Sequence, residues 1–104
     1  MTRVVWSPKS IRDLDAIHDY VAQFNPVAAK RLIQKIVQRT DRLLRFPLSG
    51  GVVPEDDFSV YRQVLHGNYR VIYRHQAEQA VVRIITVTHA ARLLDPERLN
   101  EDSP

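Results

Sequence analysis

The sequence has 104 residues, 44% hydrophobic and 26% charged, which fits one small globular domain and leaves no room for a second core of independent size. With no cysteine it forms neither a disulfide framework nor a cysteine-based metal site; its first apolar run, Val4-Val5-Trp6, is too short for a signal-peptide core or a membrane span, so a cytoplasmic protein is expected. The net charge of +3 conceals a division: residues 95–104 sum to −3 and residues 1–94 to +6, an acidic polar tail behind a basic domain whose field favours nucleic acid or an acidic protein segment.

Val4 and Val5 before Trp6 predict a short strand, and Ser7-Pro8 supplies a hydroxyl N-cap followed by proline at the first helical position. From Pro8 to Phe24 the residues Ile11, Leu14, Ile17, Val21 and Phe24 recur at helical spacing, while Lys9, Arg12, Asp13, Asp15 and Asp19 fall mainly off that stripe. Asn25-Pro26 repeats the capping signature, so a second helix starts almost at once and the two form a tight hairpin. Its stripe (Ala29, Leu32, Ile33, Ile36, Val37, Leu43, Leu44) predicts a helix of about five turns reaching Phe46, ended by Pro47 and Ser49-Gly50-Gly51.

Beyond the glycine pair the period becomes alternating. Ser59–Leu65 and Tyr69–Arg74 predict strands joined by a hairpin at His66-Gly67-Asn68, and a third strand covers Ala80–Thr88 after Ala77-Glu78-Gln79. The last strand is apolar on both faces, Val82 and Ile84 on one and Ile85 and Val87 on the other, so it belongs inside the sheet with cover on each side. A helical hairpin covers one face only; the other needs the C-terminal segment, a second copy or another chain, which points outward to a partner. A helical turn is expected around Asp95–Leu99, then a frayed end. The fold class is therefore α+β, in the order β-α-α-β-β-β, with the hairpin on one face of a small antiparallel sheet.

His18, His66, His75 and His89 lack paired spacing with carboxylates, Gly50-Gly51 neither follows a strand nor opens a helix, and the serines sit at caps and loops; no metal site, cofactor or serine triad is expected. The second helix and its extension carry Lys30, Arg31, Lys35, Arg39, Arg42 and Arg45 against Asp41 alone, and residues 31, 35, 39 and 42 form one ridge. That ridge is either a solvated face or an attractor for phosphates or an acidic peptide. Arg62, Arg70, Arg74 and Arg83 all fall in the strands; if Tyr69, Val71 and Tyr73 face the helices, Arg70 and Arg74 project from the other side and make a concave basic face, or their stems simply cover the sheet. His89, before Ala90-Ala91-Arg92, ends the last strand, where a histidine either lines a site or makes a structural hydrogen bond.

The chain resembles the ParE and RelE toxins of bacterial type II toxin–antitoxin systems. The resemblance runs through Trp6-Ser7-Pro8, Asp13-Leu14, Ile17, Tyr20-Val21-Ala22, Asn25-Pro26, Ala28-Ala29, Leu44, Phe46-Pro47, Gly50, Tyr69-Arg70-Val71-Ile72-Tyr73 and Val87-Thr88-His89-Ala90-Ala91-Arg92. The paired capped helices and the Tyr-Arg-Val-Ile-Tyr strand look more ParE-like than RelE-like. The resemblance implies a toxin neutralised by a cognate antitoxin and associated with plasmid stabilisation, its domain occupying residues 1–94. In the ParE branch the target is DNA gyrase and the toxin has no catalysis of its own; in the RelE branch it cleaves messenger RNA on the ribosome. A nuclease of this superfamily would place its glutamate, arginine and histidine on Glu55, Arg70 and His89, but a tyrosine follows the histidine there and Ala90 follows it here. Base, acid and cation are what cleavage through a 2′-hydroxyl needs. Glu55, however, adjoins Asp56 and Asp57 in an acidic cluster expected to be a solvated turn that repels phosphate. The gyrase reading is thus favoured, with Arg31, Lys35, Arg39, Arg62, Arg70, Arg74, Arg83 and Arg92 as partner-binding candidates; ribosome-dependent cleavage and a non-toxic basic adaptor for nucleic acid are the alternatives.

Overall fold

The computed structural model describes residues 1–101, with side chains through Leu99. Strand β1 (Arg3–Trp6) leads into helices α1 (Pro8–Ala22) and α2 (Pro26–Arg39); a 3-10 turn (Asp41–Leu44) follows, then β2 (Gly51–Val52), β3 (Arg62–His66), β4 (Tyr69–Gln76), β5 (Val81–His89) and α3 (Pro96–Glu101). The five strands lie in the order β1-β5-β4-β3-β2, all neighbours antiparallel except β1 with β5. The helical hairpin packs on one face, as the α+β class requires.

Both expected caps form. The Ser7 hydroxyl oxygen accepts from the Ser10 amide at 3.1 Å, and Asn25 Oδ1 accepts from the Ala28 amide at 3.0 Å. Each is followed by a proline at the first helical turn. The boundaries depart from the periodic stripes at three places. Helix α1 stops at Ala22, so Phe24 lies outside it, exposed, its ring edge-on to Tyr20 at 5.7 Å. Helix α2 stops at Arg39 rather than Phe46, because the Thr40 hydroxyl donates back to the Val37 carbonyl at 2.7 Å and the chain tightens into the 3-10 turn that buries Leu43. Strand β3 starts at Arg62, not Ser59, since Ser59 has φ +55° and the Tyr61 amide bonds Asp56 instead of a neighbouring strand. The two-residue edge strand β2 was not expected at all.

The main core lies between helices and sheet: Leu14 and Ile36 from the helices, Leu43 from the turn, and Val64, Val71, Tyr73, Val82, Ile84 and Val87 from the strands. Val87 was expected on the other face with Ile85. Ile72 pairs with Thr86 and Tyr73 with Ile84, so Ile85 is an extra residue; this bulge resets the alternation and returns Val87 to the helix side.

The opposite face has its own core of Val53, Tyr61, Ile72, Ile85 and Leu99, with Leu94 beside it. Its cover is therefore intramolecular, from the 53–61 loop and the segment after β5, and it makes no demand for a partner. Leu99, 3% exposed, anchors α3 there. The frayed end expected after it falls on residues 102–104, outside the described residues.

Gly50 is fixed by close approach. Its amide donates to the Tyr73 hydroxyl at 2.9 Å, and a Cβ there would lie 2.5 Å from that oxygen and 2.8 Å from the Gln63 carbonyl. Gly67, φ +55°, opens the two-residue β3–β4 hairpin, where a positive φ favours glycine.

Candidate functional site

Alternation along β4 sends Tyr69, Val71 and Tyr73 toward the helices and Arg70, Ile72 and Arg74 away from them. Arg70 does not end on an exposed basic face. It is 6% exposed, and its guanidinium donates to both Glu55 oxygens (Nη1 to Oε1 2.9 Å, Nη2 to Oε2 2.8 Å), to Gln63 Oε1 at 3.2 Å and to the Arg92 carbonyl at 2.6 Å. Glu55 Oε2 also accepts from the Leu94 amide at 2.9 Å. The pair clasps the 53–61 loop, β4 and the chain leaving β5 into one unit.

Hydrogen bonding to Arg70 holds the Glu55 carboxyl down at about 2; burial opposes this and the Leu94 amide adds to it. The expected solvated acidic turn is thus absent in two of its three members: Glu55 is ion-paired, and Asp56 is buried, accepting from the amides of Phe58 at 3.1 Å and Tyr61 at 2.7 Å. Asp57 alone is exposed.

His89 stands elsewhere. It pairs with Tyr69 across the β4–β5 ladder, and the two rings meet edge to face at 5.7 Å. Directly opposed residues share a face, so His89 lies on the helix side with Tyr69, whereas Arg70 and its partner Thr88 lie on the other. The imidazole borders a cleft of about 250 Å³ lined by Asp13, Ile17, Tyr20, Tyr69 and Arg92 among others, and its Nδ1 accepts from the Ala91 amide at 3.2 Å. Of the three nuclease-type candidates the structure brings two together, in a bond that occupies both, and sets the third across the sheet.

The remaining arginines divide by what they touch. Arg31 and Lys35 are exposed on α2, and Arg92 is exposed after β5. Arg39 turns back to the sheet and donates twice to the Leu65 carbonyl, from Nε at 3.1 Å and Nη2 at 2.9 Å, closing the edge of β3. Arg62 ties the preceding loop through the Leu48 and Gly50 carbonyls, both at 3.1 Å. Arg74 and Arg83 face each other across β4 and β5.

Sequence reasoning placed Asp13 off the packing stripe, but its carboxylate joins α1 to β5. Oδ2 accepts from the Thr86 hydroxyl at 2.5 Å and the Val87 amide at 3.0 Å, while Lys9 Nζ bridges Asp13 and Thr86. Strand β1 reaches only to Ile84 in the register, so the helix carboxylate meets an amide that no β1 residue pairs with. The signal was in the spacing: Asp13 precedes Ile17 and Val21 by one and two steps of four. Among the described residues no three His, Asp or Glu side chains converge as a metal ligand set, and no helix is long and apolar enough to cross a membrane.

A family model described as the ParE toxin of the type II toxin–antitoxin system parDE matches residues 4–94. The chain is 33% identical over 93 residues to the toxin RelE2 of Caulobacter vibrioides, a match covering 89% of this chain and 100% of that protein. In fold it is similar to a chain of the chromosomal ParDE system of P. aeruginosa (TM-score 0.70, 24% identity, 86% of this chain and 96% of that one). It is also similar to a chain of the RelBE2 toxin–antitoxin complex of Mycobacterium tuberculosis (TM-score 0.60, 24% identity, 85% and 96%).

Proposed function

The chain belongs to the ParE toxin family of type II toxin–antitoxin systems, and from that premise we propose that it poisons DNA gyrase without catalysis of its own and is neutralised by a cognate antitoxin in the cytoplasm. The observation that carries the choice of target is the state of Glu55, Arg70 and His89. A general base works best with a proton affinity near the operating pH, and a cation that stabilises a phosphorane must be able to face it. Glu55 is held near 2 and both its oxygens are bonded to Arg70, which is buried. His89 lies across the sheet, with Ala90 where a nuclease of this type has tyrosine.

The antitoxin contact is supported by apolar side chains left on the surface. Tyr20, Phe24 and Val27, at the turn of the helical hairpin, are 63%, 75% and 68% exposed, beside the basic ridge of α2. An antitoxin segment with apolar anchors and acidic flanks fits such a surface.

Ribosome-dependent cleavage is the second reading, favoured by the relative named RelE2. Controlled expression of the wild type and of His89→Ala separates the two. The gyrase reading expects a DNA-damage response, intact ribosome-bound messages and a His89→Ala variant that arrests growth as the wild type does. Codon-positioned message cleavage that the variant loses would overturn it.

A further inference from the structure

Besides the clasped Arg70, the face of the sheet turned away from the helices carries three more arginines on adjacent strands. Arg74 of β4 and Arg83 of β5 are direct cross-strand partners, and Val5 of β1 is the next residue in that row. Arg3 shares Val5's face one step along β1, which places it diagonally from Arg83. Tyr73 and Ile84, their chain neighbours, belong to the helix-side core, so Arg74 and Arg83 point the other way.

Like charges set directly opposite one another destabilise a sheet. Where this protein buries Arg70 it supplies Glu55, yet among the described residues none of Arg3, Arg74 and Arg83 is in an ion pair. The neighbour that Arg74 does meet is the Tyr61 hydroxyl, a neutral group whose ionisation burial suppresses. Arg83 is half-buried, and its Nε is fully buried with no hydrogen-bond partner. Covering the sheet accounts for the methylene stems. It does not account for arginines on neighbouring strands that have no ion-pair partner among the described residues.

We infer that Arg3, Arg74 and Arg83 form a binding site for a single phosphoryl group, supplied as free phosphate or as a phosphate monoester. Arginine's planar fork matches phosphate oxygens in pairs, and its charge persists at any physiological pH. A monoester brings about −1.5 to −2 charge and three terminal oxygens at neutral pH, enough to engage several guanidinium groups at once. A carboxylate, with one charge and two oxygens, leaves most of the cluster unanswered. The site is separate from the Glu55–Arg70 clasp, and the inference holds whichever target the toxin has.

The test is a titration of the full chain with inorganic phosphate in chloride buffer at constant ionic strength, followed by calorimetry and by the NMR signals of the arginine Nε–H groups. Saturable shifts are expected at Arg74 and Arg83. Arg74→Gln should weaken binding by about tenfold or more, and Arg3→Gln by a smaller factor; Arg31→Gln, on exposed α2, should leave it unchanged. Arg3 is exposed, so Arg3→Gln remains informative if Arg74→Gln fails to fold. A nucleoside 5′-monophosphate binding more tightly than phosphate would assign the source to nucleotides, and equal binding would assign it to free phosphate. Absence of saturable shifts, equal loss in Arg31→Gln, or tighter binding of an oligonucleotide lacking terminal phosphates would overturn the inference.

Discussion

Replacing Glu55 by glutamine should unmake the clasp that ties β4 to the C-terminal segment. The carboxylate accepts from Arg70 through both oxygens and from the Leu94 amide through Oε2. A glutamine offers one oxygen, so its NH₂ must face either Arg70 Nη1, or Arg70 Nη2 and the Leu94 amide, donor against donor in both cases. The ionised form is favoured from 4.5 down to about 2, which at about 1.36 kcal/mol per pH unit comes to ~3 kcal/mol. The side chain is 14% exposed, so solvent screening trims the cost of Glu55→Gln to about 2–3 kcal/mol. Because the folded-state value is depressed, this stability is complete above the unfolded value and is lost as pH falls toward the folded one. Urea denaturation should therefore show the full deficit near neutral pH and a wild-type advantage that shrinks steadily as pH falls from about 5 toward 3. Glu55→Leu combined with Arg70→Met should recover most of the loss, since two matched apolar groups replace a pair instead of stranding one charge. A Glu55→Gln protein within about 0.5 kcal/mol of the wild type near neutral pH, or a deficit that does not change with pH, would refute the reasoning.

Asn25→Ala should cost about 1 kcal/mol by removing the α2 cap, read as a lower denaturant midpoint with an unchanged fold; an unchanged midpoint would show that the Asn25 side chain adds nothing there. Gly50→Ala should lower the thermal midpoint, by about 1–3 kcal/mol in stability, since the new methyl meets the Tyr73 hydroxyl and a strand carbonyl and overpacks them; a midpoint equal to the wild type would place Gly50 in open space. Asp13→Ala should cost about 1–3 kcal/mol and speed hydrogen exchange at the Val87 amide, because that donor loses its acceptor; unchanged protection at Val87 would mean the strand holds it without the helix.

Local chemistry makes much of this fold legible in the sequence. Ser7-Pro8 and Asn25-Pro26 mark both helix starts because a cap and a fixed φ act within one turn, and Gly67 marks its hairpin for the same local reason. What stayed hidden depends on contacts far apart in sequence. Ile85 bulges between Ile84 and Thr86, whose β4 partners are consecutive residues, and no alternation rule places Val87 on the helix side. Glu55, Asp56 and Asp57 look like one charged run, yet Arg70, fifteen residues on, draws the first inward while backbone amides claim the second. The candidate site was legible as residue types and not as geometry: Arg70 and His89 lie on opposite faces through a cross-strand register that neither neighbourhood encodes. Asp13 has the four-residue spacing of a packed position, one that carboxylates seldom occupy, and so reads from the sequence as part of the polar face.

The most direct test of the proposed target is supercoiling by purified gyrase in the presence of the purified chain, with ribosome-bound message incubated in parallel. The account predicts that supercoiling is blocked, that a cognate antitoxin restores it, and that the message stays whole. Unimpaired supercoiling beside a message cut at codon-defined positions would contradict it.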